Sequence, residues 1–256
     1  MAPVGSTVAE RPLSRDAIKY IAMFTMFLNH AAVFLPYNSI WHDVFVDIGY
    51  FTAVTMCYFL VEGYAYTRSK TRYGLRLLLF AALAQIPYTL ATGAPGSLRF
   101  HGFNMLFTLF CCFLLLFVGE KVRNPVLRNA LRVLLVLCTV NSDWPLLAAL
   151  YTWLFDWAGK SRGRLKIAYL SAALLFGLLT IPNGLYLYPP VEAALRAVCE
   201  SAGIFASGFC ILYLYNGKRA ERGRSFSKWF FYAFYPAHLL ILGLLRTAAP
   251  GFGFGG

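Results

Sequence analysis

The sequence predicts an all-α polytopic membrane protein of about nine transmembrane helices, with its N-terminus cytoplasmic and its C-terminus outside. Three observations predict it. The first is composition. Of 256 residues, 59% are apolar, 17% aromatic and only 13% charged, and the mean hydropathy is +0.60. Soluble domains are about 45–50% apolar and about 25% charged. The second is the recurrence of apolar runs, at 17–36, 46–66, 74–92, 103–119, 126–141, 145–158, 166–181, 193–215 and 229–248; a span needs about 20 residues. The third is the placement of charge. With the N-terminus inside, the inner segments carry 20 of the 23 cations, leaving Arg99, Arg196 and Arg246 outside with Asp43, Asp47, Asp143 and Glu192. That asymmetry is the positive-inside pattern. It also argues against a nucleic-acid partner, because the net charge of +12 is dispersed in small clusters rather than gathered on one soluble face.

Taken in order, residues 1–16 form a polar cytoplasmic tail, 17–248 a single transmembrane domain, and 249–256 a flexible Gly/Phe tail. No cleavable signal is expected, since the first apolar run lacks a short core and a small-residue cleavage site. The runs 126–141 and 145–158 are short, so they read as tilted, partial or re-entrant. The run 193–215 has Glu192, Arg196 and Glu200 about its start, and its first turns are expected to lie along the outer interface. The six cysteines (57, 111, 112, 138, 199, 210) form no C-x-x-C metal pair; they read as small buried hydrophobes. Neither a phosphate-binding glycine loop nor a metal-ligand cluster is evident, so no metal is expected.

Ionisable groups inside a bilayer are costly and therefore functional candidates. In "KYIAMFTMFLNH", Lys19 and His30 are eleven residues apart. At about 100° per residue they fall within about 20° of one helix face, with a rise of about 16 Å between them. Met23 and Met26 lie on the same stripe. This geometry suits a long ligand with an anionic head and a reactive tip, such as coenzyme A, whose thioester would reach His30 while a phosphate stays near Lys19. An imidazole there could take a proton from an attacking amine or hydroxyl. The plainer readings are a snorkelling Lys19 and an interhelical, hydrogen-bonded His30. In "FYAFYPAHLLIL", Pro236 frees a carbonyl near Tyr232, and Tyr235 with His238 makes a polar patch on one face. His238 is either part of the site or the group that satisfies the freed backbone. Glu62 needs a partner, and Arg68, Arg72 or Arg76 is the nearest choice; the remaining cations would dock an anionic ligand. Gln85, Asn104, Thr108 and Asp143 could line a path for an external acceptor, with Asp143 equally readable as a turn residue.

Five stretches, "IKYIAMFTMFLNH", "FLVEGYAYTRSKTRYGLRLLLFAALAQIPY", "NMLFTL", "SDW" and "FYAFYPAHLLIL", resemble in order and spacing the TraX family of membrane proteins, linked to N-terminal acetylation of conjugative pilin. The resemblance runs from about residue 14 to 246. The Lys-x10-His pattern is also similar to that of the wider integral-membrane acyltransferases that acetylate surface sugars. The resemblance implies cytoplasmic acetyl-CoA as donor, His30 as catalytic base and Lys19 in the donor's path. It departs at Asn29, where the family usually has Asp; Asn29 can supply only a hydrogen bond.

The expected function is therefore an acetyltransferase in a bacterial inner membrane, with the lipid bilayer, acetyl-CoA and an amine-bearing, pilin-like membrane peptide as partners. Its expected catalytic residues are His30, Asn29 and His238, and its donor-binding residues Lys19, Arg68, Arg72 and Arg76. Glu62, Gln85, Asn104, Thr108, Asp143 and Tyr235 would support the site. The alternatives are O-acetylation of a glycan or lipid and, from another class, a transporter or a membrane subunit of a secretion assembly.

Overall fold

The structure, a computed structural model, describes residues 11–37, 39–220 and 223–248. The expected Gly/Phe tail, the first ten residues of the polar tail and Arg222 lie outside them. The described residues form ten α-helices and no strand. Six segments are long and apolar enough to cross a bilayer: Arg15–Phe34, Ile40–Tyr66, Lys70–Thr92, Arg162–Leu187, Pro190–Leu214 and Ser225–Ala248. The chain is thus a multi-pass helical membrane protein. Each of the nine apolar runs is found as helix.

Helix boundaries follow local chemistry. The first helix, α1 (Arg15–Ala31), starts where Ser14 accepts a hydrogen bond from the Ala17 amide, and runs into a 3-10 turn at Ala32–Phe34. The second, α2 (Ile40–Tyr66), begins six residues before its apolar run, because Ser39 caps it and Asp43 suits its first turn. Ser69 caps α3 (Lys70–Thr92). Asn104 caps α4 (Met105–Lys121), which is 17 residues long. The two short runs become α5 (Pro125–Cys138) and α6 (Leu147–Ala158), of 14 and 12 residues. The entry to α6 is strained, with Trp144 and Leu146 at φ 57 and 59. The seventh helix, α7 (Arg162–Leu187), continues through Pro182 beyond its expected end.

The run 193–215 is broken rather than continuous. It divides at Ser201 into α8 (Pro190–Glu200) and α9 (Ala202–Phe209), then widens into a π-helical turn at Cys210–Leu214. The polar α8 is tied to the start of α2: Arg196 pairs with Glu192 at 3.2 Å and with Asp43 at 3.4 Å, and stacks over Tyr188. The last helix is α10 (Arg224–Ala248). Of the cysteines, Cys57, Cys111 and Cys112 are buried as expected, whereas Cys138 and Cys199 are exposed on the bundle's outer surface.

In the bundle, α1 lies along α2 and α10 lies along α3, while α2 also meets α4, α6 and α9. Glycine allows two close approaches. A Cβ on Gly243 of α10 would sit 2.7 Å from Leu90 of α3, and one on Gly203 would sit 2.6 Å from the Asp47 carbonyl oxygen of α2. Without a hydrophobic drive between helices in lipid, such small-residue contacts and interhelical hydrogen bonds set the packing. The start of α1 is stapled to the connection before α10. The Leu13 amide donates to the Leu214 carbonyl and the Asn216 amide to that of Leu13, both at 3.0 Å. Asp16 accepts from the Ala220 amide at 2.7 Å. Helices from opposite ends of the sequence are thereby joined around one space.

Candidate active site

That space is a cavity of about 590 Å³ enclosed by α1, α2, α3, α4 and α10. Its basic end carries Arg15, Lys19, Arg68, Arg76, Arg219 and Lys228; deeper in, its walls are Met23, Met26, Met56, Met105, leucines and the tyrosines 232 and 235. The stripe expected on α1 is real: Lys19, Met23 and Met26 all line the cavity. The Lys19 ammonium is held over two rings, 5.7 Å from the centroid of Phe59 and 5.0 Å from that of Phe231, a cation–π arrangement that fixes it at the wall.

His30 continues the stripe one turn beyond Met26 and is not itself a wall of the cavity. Its ring meets that of Tyr235 edge-on with centroids 6.5 Å apart, so Met26 and Tyr235 form the floor. His30 Nδ1 lies 2.8 Å from His238 Nε2, and His238 Nδ1 lies 2.8 Å from the Phe234 carbonyl oxygen. The carbonyl can only accept. In the neutral pair His238 therefore carries its proton on Nδ1 and presents a bare Nε2, to which His30 Nδ1–H donates. The outcome is directional: His30 Nε2 is left as an unprotonated lone pair. His238 satisfies the carbonyl of Phe234, and not that of Tyr232 freed by Pro236. It is 4% exposed and stacks on the Phe234 ring at 4.8 Å.

Other expected residues are placed differently. Asn29 turns away from His30 and donates to the Val46 carbonyl of α2 at 2.9 Å, so the group orienting His30 is His238. Glu62 pairs with none of Arg68, Arg72 or Arg76. It meets Arg15 Nε at 3.3 Å and accepts from the Tyr215 hydroxyl at 2.8 Å, because the packing of α1 on α2 brings Arg15 closer than the local spacings do. Arg68 and Arg76 line the cavity, whereas Arg72 is exposed outside it.

Gln85, Asn104 and Thr108 hold the start of α4. Asn104 Nδ2 donates to Gln85 Oε1 at 2.9 Å and to the Ala81 carbonyl at 2.8 Å, while its Oδ1 accepts from the Leu106 and Phe107 amides. Gln85 Nε2 donates to the Gly102 carbonyl and Thr108 to that of Asp143. Tyr235 joins them, its hydroxyl oxygen accepting from the Met105 amide at 3.1 Å. Asp143 sits in the α5–α6 connection, where burial pushes its carboxyl up to about 6.

The sequence reading missed Arg219, Lys228, Tyr73, Tyr232, Met56 and Met105 as cavity walls and Arg15 as the partner of Glu62. The spacing of Lys228, Tyr232 and Tyr235 along one helical face could have signalled the α10 wall. Arg219 lies in a connection and left no periodic signal.

Fold and site together define a class: multi-pass helical membrane proteins with a cation-rimmed cavity whose floor lies one turn short of a histidine pair. The sequence model of the TraX protein matches residues 14–246, and the chain belongs to the TraX family. It is 29% identical over 232 residues to a protein of Dichelobacter nodosus described as a probable fimbrial assembly protein FimC, serogroup H1, covering 88% of this chain and 92% of that one. No solved structure matches the chain.

Proposed function

We propose that the protein is a membrane-embedded acetyltransferase that takes acetyl-CoA from the cytoplasmic side and acetylates an amine, the N-terminus of a small pilin-like membrane peptide. The carrying observation is the lone pair left on His30 Nε2 by the His30–His238–Phe234 chain, one turn below a cavity whose opposite end is cationic. A second support is that the Dichelobacter nodosus relative is described as a probable fimbrial assembly protein. In this reading all nine apolar segments cross the bacterial inner membrane, with the basic end of the cavity in the cytoplasm.

The residues present fit the donor. The cavity volume lies within the range of about 300–1,000 Å³ usual for ligand sites. Among the described residues nothing accepts from the buried Nε of Arg76 at the basic end, whose guanidinium otherwise meets the Tyr232 hydroxyl, and a guanidinium suits a phosphate. The walls below are apolar and the floor adjoins His30.

In the reaction, the neutral amine attacks the thioester carbonyl carbon. His30 Nε2 takes the amine proton as the N–C bond forms. The C–S bond then breaks, and His30 returns that proton to the departing sulfur. Throughout, His238 accepts from His30 Nδ1 and stabilises the transient imidazolium, leaving the acid–base work to one ring. Arg68, Arg76, Arg219 and Lys228 hold phosphates, and Lys19 marks the way down.

The test is direct. Purified protein in detergent should bind labelled coenzyme A and acetylate a peptide carrying a pilin N-terminus, and His30→Ala should lower turnover by about 10²–10⁴. A wild type that neither binds nor consumes acetyl-CoA would overturn the reading. Full turnover by His30→Ala would overturn the mechanism.

A further inference from the structure

The chain has five methionines. Met1 lies outside the described residues, and the other four, from three different helices, all line the one cavity. Methionine is unbranched, with three rotatable bonds and a polarisable thioether, and it suits surfaces that reshape around apolar ligands of varying size. A pocket built to admit acetyl alone has no need of such walls.

The two sides of the cavity differ chemically. The α1 and α10 side carries Lys19 and the hydroxyls of Tyr232 and Tyr235 beside Met23 and Met26. Beyond Gly63 and Tyr66 at the basic end, the α2 and α4 side is formed by Met56, Phe59, Leu60, Met105, Leu106 and Leu109, with Thr52 beside them. The Thr52 hydroxyl already donates to the Ala22 carbonyl at 2.6 Å. From Phe59 to Thr52 that side therefore offers no spare hydroxyl to the amides of a pantetheine arm, which follow the tyrosines of α10 to the floor. Only hydrocarbon suits the α2–α4 side.

We propose that this methionine–leucine side is an acyl chamber, and that the protein takes CoA thioesters with flexible acyl chains longer than acetyl, with Met56 and Met105 yielding to chain length. The proposal rests on the donor reading above. With the thioester carbon at the floor beside Tyr235, the acyl group turns from the reacting centre toward Met56. Each methylene buried there is expected to tighten binding by about two- to fourfold.

The experiment measures equilibrium binding of CoA, acetyl-, propionyl-, butyryl- and hexanoyl-CoA to the full chain in detergent. Affinity rising with chain length to at least butyryl is the expected result. Binding of CoA with affinity flat or falling from acetyl onward overturns the chamber and leaves the donor reading standing. Absence of binding by every CoA species overturns the donor reading and the chamber with it. Met56→Phe should flatten the slope, and an unchanged slope in this variant counts against the chamber. If the variant does not fold, the wild-type series decides alone. A lipid could offer the same phosphate-plus-chain chemistry, so 1-hexanoyl lysophosphatidate serves as competitor. Displacement by it at lower concentration than by hexanoyl-CoA assigns the chamber to lipid and overturns the proposal.

Discussion

Replacing His238 with phenylalanine isolates the orienting role of the second imidazole. Phenylalanine keeps the ring and its stacking on Phe234 but offers no acceptor to His30 Nδ1, now 2.8 Å from His238 Nε2. A buried donor left without an acceptor costs about 1–3 kcal/mol. At about 1.36 kcal/mol per decade this corresponds to roughly a 5- to 150-fold fall in kcat. His30 escapes the penalty only by moving its proton to Nε2, which removes the lone pair needed as base, so either route slows the reaction. KM for acetyl-CoA should not change, because the cationic walls are untouched. His238→Gln, whose side-chain carbonyl can accept, should recover to within about tenfold of wild type. The assay is steady-state release of free CoA thiol with a peptide acceptor, alongside thermal unfolding to verify the fold. A His238→Phe protein with wild-type kcat would refute the reasoning. So would equal loss in the Phe and Gln variants with intact unfolding curves, since packing rather than hydrogen bonding would then be responsible.

Three further outcomes are expected. Arg76→Ala should weaken CoA binding by about ten- to a hundredfold, the range of a charge-assisted hydrogen bond, while Arg72→Ala, exposed and off the cavity, should match wild type in the same titration. Asp143 holds its proton up to about pH 6 in the folded chain, above its ordinary range. Its contribution to stability is therefore full below about pH 4 and lost as pH rises through 6; Asp143→Asn should remove that part of the slope in melting temperature against pH. Asn29→Asp replaces the donor to the Val46 carbonyl with an acceptor, and should destabilise the protein by about 1–3 kcal/mol in denaturant unfolding without raising kcat. A higher kcat from that change would reinstate the residue as an orienting group for His30.

The parts of the site that one helix determines were legible in the sequence. Helical periodicity alone set Lys19, Met23, Met26 and His30 on one stripe, and the structure keeps them there. What depends on two helices meeting was not. His238 is 208 residues from His30, and no spacing rule links them. Glu62 illustrates the same limit: local spacing favoured three arginines downstream, and helix packing supplied Arg15. Gln85, Asn104 and Thr108 were read as a route for an acceptor because polar groups in apolar helices invite functional readings. Asn104 precedes an apolar run, which is the signature of an N-cap, and it caps α4. The charges of Glu192, Arg196 and Glu200 pointed to an interfacial start for the run 193–215, whereas the break at Ser201 itself left no signal because small and apolar residues continue through it.

The pairing of the first helix with the last has a consequence in time. At about 5–20 residues per second, a ribosome needs roughly 10–40 s to travel from the codon for His30 to that for His238. Through that interval α1 is already in the membrane with its imidazole unpartnered, and the cavity has no α10 wall. A chain released before α10 can insert the helices from α1 to α9 and still lack the histidine pair. The proton on His30 is thus set only once α10, which carries His238 208 residues later in the chain, has packed against α1.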